Sequence, residues 1–175
     1  MGDNTLDSSI NSFFSTQWFC VPVDIFHVKV FLFIGSLMEM GLSVKSGLEQ
    51  FNLPDYEEIV KFVRGHVEAN LQNDDGSNNG DAFGDGGIAF IRLNKMEVGN
   101  LDDVLLLVHE SLHVASAILD YVGIEEGKNK ECLCYTHEYV LRKLMSQMEE
   151  GKRKLISEDI NRMKGRIDEF YLSFC

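Results

Sequence analysis

The feature that most constrains this chain is a single apolar run, Leu101 to Gly123, reading L-D-D-V-L-L-L-V-H-E-S-L-H-V-A-S-A-I-L-D-Y-V-G. Its length and spacing predict a helix that must be packed against a core. Inside it stands H-E-S-L-H, from His109 to His113, an H-E-x-x-H pattern. Residues four apart on a helix lie one turn apart on the same face. Two imidazoles so placed can grip one metal ion, and the adjoining Glu110 can reach a water on the metal's open side. Asn100, with Asp102 and Asp103 after it, predicts the start of this helix: an Asx cap with acids in the first turn. Gly123 predicts its end.

The rest of the chain predicts what that helix packs on. Val21 to Gly35 (V-P-V-D-I-F-H-V-K-V-F-L-F-I-G) is rich in Val, Ile and Phe, and predicts one long strand or two around a bend. Asp24, His27 and Lys29 interrupt the apolar run Trp18 to Leu37, so a buried strand is expected there and not a membrane span. Leu37 to Phe51 predicts a short helix, and Tyr56 to Leu71 another, with Ile59, Phe62, Val63, Val67 and Leu71 at helical spacing. The glycine and Asx stretch 73–87 predicts a loop, a lid or rim to a site. Counted from Asp75 it has part of a calcium-loop pattern, but Gly86 stands where a bidentate Glu is needed. Ile88 to Leu93 predicts a strand. A second helix is expected from Asn129 to Glu150, a break at Gly151-Lys152-Arg153-Lys154, and a last amphipathic helix from Ser157.

With 175 residues, 45% of them hydrophobic, and only two prolines, one globular domain over 1–175 is expected. Within it, 1–17 should be loosely ordered, 18–93 should hold the sheet and its helices, and 101–175 the helical, metal-bearing part. The fold class expected is α+β. The formal net charge of −12 argues against nucleic acid and against an anionic membrane surface as partners. Cys20, Cys132, Cys134 and Cys175 are few and irregularly spaced, so a reducing, cytoplasmic compartment is expected. The N-terminus is too acidic for a secretory signal, and Leu6 stands where myristoylation wants Ser or Thr.

A catalytic zinc needs three protein ligands and an open position. Two residues compete for the third place. His137 lies in an apolar stripe with Leu133, Val140, Leu141, Leu144 and Met148, the face expected to pack on the motif helix; a core histidine bonded to a carbonyl is its ordinary alternative. Glu131 has the better spacing, with room between 113 and 131 for a helix end, a turn and a new helix. Asp120 is on the right face but about 10 Å along the axis from His113, too far to share the ion.

The segment also resembles a group of small phage-encoded zinc metallopeptidases of the HExxH type, gluzincin-like in using a distant glutamate. The resemblance rests on V-H-E-S-L-H-V-A, then I-L-D-Y-V-G-I, then Glu131 and Tyr135, and covers roughly 86–140. It implies a small zincin-like domain, a short sheet packed on the HExxH helix with further C-terminal helices. It implies Zn2+ held by His109, His113 and Glu131, Glu110 as general base, and hydrolysis of a peptide or amide bond in a peptide or protein substrate. Tyr135 or His137 could donate to the oxyanion. In the resembling enzymes an edge strand, here Ile88 to Leu93, holds substrate backbone. Cys132, Cys134 and His137 depart from the group's usual residues. The alternative is a non-enzymatic phage structural or host-interaction protein with the same fold, acting on a host or virion partner in the host cytoplasm or the virion.

Overall fold

The computed structural model describes residues 17–72, 78–97 and 99–172, with side-chain surroundings given through residue 151 apart from residue 126. Four strands form one mixed sheet: β1 (Gln17–Val23), β2 (Val28–Ile34), β3 (Gly80–Asp85) and β4 (Ile88–Leu93), in the order β1-β2-β4-β3. Four helices are described with it: α1 (Leu37–Glu49), α2 (Tyr56–Leu71), α3 (Leu101–Tyr121) and α4 (Lys130–Leu172). The α+β class expected from the sequence is therefore what forms.

The apolar run 21–35 is two strands around a bend. A short 3-10 turn at Asp24–Phe26 and a left-handed His27 (φ 54°) reverse the chain, and β1 returns antiparallel to β2. β2 then pairs parallel with β4, and β4 antiparallel with β3. Its neighbours on both edges explain why β2 reads as V-K-V-F-L-F-I, nearly continuously apolar: helices cover both of its faces. Val30, Leu32 and Ile34, with Ile91 and Leu93 of β4, pack under α3 and α4. Phe31 and Phe33, with Phe90, pack under α1 and α2. The inward stripe of α2 is Ile59, Val60, Val63 and Val67, while Phe62 and Leu71 lie at its margin, 36% and 37% exposed.

Three expectations are corrected. The stretch 73–87 is not all loop, because Gly80–Asp85 is strand β3. Its small and acidic residues hide a strand whose interior contact is Phe83, stacked on Phe90 and His66. Ile88–Leu93 is not an edge strand, since β4 pairs on both sides and the edge is β3. Finally, Gly151 does not break the C-terminal helix: α4 runs unbroken from Lys130 to Leu172. A glycine costs a helix about 1 kcal/mol. This one lies where α4 crosses β1, and a Cβ there would stand 3.2 Å from the Phe19 ring. The calcium-loop count begins at Asp75, and that residue, like 1–16, lies outside the described residues.

Candidate metal centre

The motif helix is set by its first turn. Asn100 Oδ1 accepts from the amides of Asp102 (2.9 Å) and Asp103 (3.4 Å). Asp103 is buried and accepts from the amide of Glu97, tying the β4–α3 connection to the helix. From that start, 3.6 residues per turn put Leu107, Ser111, Val114, Ala115 and Ile118 inward. His109 and His113 fall on the exposed face.

The two imidazoles converge. Their Nε2 atoms are 3.0 Å apart, with the rings nearly perpendicular at 82°. Two nitrogens on one tetrahedral zinc, each about 2.0–2.1 Å from the metal, sit roughly 3.3 Å from each other. The pair is thus spaced to chelate with little movement. Glu110 lies to the side facing the sheet and is 6% exposed. Burial pushes its carboxyl above the ordinary range, and His109 and His113 oppose that only in part. Among the described residues its carboxylate has no hydrogen bond or ion pair, yet no fully buried polar side-chain atom there is left unsatisfied. The carboxylate oxygens therefore keep some contact with solvent.

Strand β3 runs alongside. Gly80 lies beside Leu106 and Gly87 beside Tyr121. About 22 Å of helix is matched by about 23 Å of extended chain, so β3 lies along α3 for the whole length of the strand. The two-residue turn at Gly86–Gly87 (φ 57° and 84°) makes Asp85 and Ile88 a hydrogen-bonded pair. Alternation then points the backbone groups of Ala82 and Gly84 away from β4, to the open edge.

The proposed third ligands are placed otherwise. His137 packs α4 onto α3: its Nε2 lies 3.1 Å from the Val108 carbonyl and 3.0 Å from Ser111 Oγ. Ser111 already donates to Val108, so Nε2 is the donor to these acceptors and has no lone pair to offer there. Glu131 is exposed at the head of α4, nine residues before the buried Val140. Nine residues are two and a half turns, so it points away from the stripe that meets α3. Tyr135 is 70% exposed nearby. Among the described residues, no three His, Cys, Asp or Glu side chains gather to hold a metal. The structure brings His109 and His113 together, sets Glu110 on the adjoining sheet-facing side of the helix, and leaves Glu131, Tyr135 and His137 apart from the pair.

A cluster the motif does not announce lies on the other face of β3. Arg92 is 1% exposed, donates to Asp81 and Asn94, and reaches the Asn78 carbonyl at 3.3 Å. His66 donates to the same Asp81 at 2.8 Å. Its sequence signal is Arg92 itself, the one charge in I-A-F-I-R-L, since a buried guanidinium requires a partner. Compared with known protein families, curated proteins and solved structures, the chain matches none.

Proposed function

We propose that the chain is a zinc-dependent, HExxH-type metallopeptidase with a zincin-like arrangement, and that His109 and His113 hold the metal. The observation that carries this reading is the convergent histidine pair with the buried, unpaired Glu110 beside it. The donor set fits zinc as far as two neutral imidazoles and an adjacent carboxylate go. The third donor proposed is Glu131, which has no hydrogen bond or ion pair among the described residues and would reach the metal through a rearrangement of the first turn of α4. Bound there, zinc supplies a Lewis acid and brings water to near-neutral acidity.

Glu110 accepts a proton as the scissile carbonyl is attacked, and returns it to the leaving amine. Its raised affinity for protons, caused by burial, suits both halves of that shuttle. The free edge of β3, with the small residues Ala82 and Gly84, receives the substrate backbone as an added strand. Tyr135 is the proposed donor to the oxyanion.

The test is Glu110→Gln in the full chain. Zinc content should stay near one per chain while hydrolysis of a mixed peptide panel falls roughly 10²–10⁴-fold. Wild-type protein that holds zinc and cleaves nothing sinks the reading. Glu131→Ala should lower zinc content, whereas His137→Ala should lower stability and leave zinc in place.

The two-donor count favours a second reading, a non-enzymatic binding protein of phage origin on the same fold. A stoichiometric complex with a host or virion protein, unaffected by Glu110→Gln, would establish it.

A further inference from the structure

Helix α4 is longer than the body it packs on. It runs for 43 residues, about 65 Å, from Lys130 to Leu172. The core takes Val140, Leu144 and Met148 from its first half, and Gly151 crosses β1 at Phe19. On either side of Phe19 the strand Gln17–Val23 extends at most four residues, about 13 Å. After Gly151, α4 has residues 152–172 still to run, about 32 Å. Helices in proteins draw most of their stability from packing an apolar face, not from propensity. The sequence supplies such a face. Between 156 and 170 the apolar residues are Ile156, Ile160, Met163, Ile167 and Phe170, and every other position is polar or Gly165. Their spacing is four, three, four, three, which is the d and a positions of a heptad, with Ile160 and Ile167 at a. A helix that packs on a globular body carries a broader stripe. The first half of α4 has one, with Val140, Leu141, Leu144, Met145 and Met148. The narrow seam is not the continuation of its buried row: at 100° per residue it lies about 120° round the helix from Val140, Leu144 and Met148.

We propose that residues 156–170 of α4 form a parallel two-stranded coiled coil with the same segment of a second copy of this chain. A seam of two positions in seven is complementary to one other helix that bears the same seam, and isoleucine at both a positions favours two strands. The charges favour a second copy in parallel. Asp159 holds a g position and Lys164 the following e position. The g-to-e pairing of a parallel dimer matches each Asp159 with Lys164 of the other copy, twice by symmetry. Residues 152–172 carry six basic side chains against four acidic ones, in a chain whose net charge is −12. Contact through this segment is therefore spared the like-charge repulsion that meets contact elsewhere.

The experiment is sedimentation equilibrium of the full chain, with reductant and chelator present so that neither a disulfide nor a bridging metal joins two copies. Wild type should show a monomer–dimer equilibrium. Ile160→Asp with Ile167→Asp should weaken association roughly a hundredfold or more. Asp159→Lys alone, and Lys164→Asp alone, should each weaken it about tenfold, by setting like charges across the pair. The two together should restore association to near the wild-type value, a rescue that a role confined to folding of one chain does not produce. Cooperative unfolding followed by Trp18 fluorescence shows that the body of each variant is folded. A wild type that stays monomeric overturns the proposal; if deletion of residues 1–16 then lowers the helix content, the seam belongs to that segment of the same chain. A dimer indifferent to the isoleucine pair overturns it as well. A dimer that the isoleucine pair breaks and the charge exchange does not restore overturns the parallel pairing.

Discussion

Arg92 sits almost wholly out of water, and its surroundings show how a buried charge is tolerated. Asp81 neutralises it, Asn94 and the Asn78 carbonyl take further N–H groups, and His66 fixes the far side of Asp81. Removing one member strands the others. Arg92→Met should cost about 1–3 kcal/mol in urea unfolding, because the half-buried Asp81 is left without its cation. Asp81 also gives the cluster a pH signature. Burial opposes its ionisation, but the hydrogen bond from His66 and the charge of Arg92 outweigh burial and hold the carboxyl below its ordinary value. A depressed carboxyl contributes stability above its unfolded value and loses it as pH falls through the folded one. The gap in unfolding free energy between wild type and Asp81→Asn should therefore be full at pH 6 and shrink below about pH 4. A gap constant down to pH 2 would show that the cluster does not act through this charge.

The motif helix was legible at the scale of elements because its period, its Asn100 cap and its acids agree. So was the strand character of 21–35, though the apolar pattern left open whether it made one strand or two around a bend. β3 was not, because G-D-A-F-G-D has little strand propensity of its own and is held by pairing with β4 and by the Phe83–Phe90 stack. The turn signal D-G-G-I was there to be read. The C-terminal break failed for the opposite reason. Gly151 suggests a stop, but its use is close approach to Phe19. Gly151→Leu should therefore lower stability by about 1–3 kcal/mol through overpacking against β1. A true break would accept leucine at no cost. Asn100→Ala should cost about 1 kcal/mol in the same measurement, by uncapping α3.

The two proposed ligands and the proposed base stand in five consecutive residues, since helical spacing alone brings His109 to His113. The third donor depends on how α4 is rotated against α3, a property of the whole packing that no local pattern states. The molecule as a whole adds one more term. Its 28 acidic residues against 16 basic ones give the chain a net charge of −12 and a negative long-range field. That field should speed the approach of cationic peptides before any contact forms. It is screened by salt: the Debye length falls from about 30 Å at 0.01 M to about 8 Å at 0.15 M. Stopped-flow association of a blocked hexapeptide carrying two arginines with Glu110→Gln protein should therefore slow about tenfold or more across that range. A blocked counterpart with norleucine at both positions, which carries no charge, should change little. Dissociation rates should vary much less than association rates, because contacts in the bound complex lie within a few ångströms. Parallel salt dependence for the charged and the uncharged peptide would remove long-range steering by the net charge of the chain.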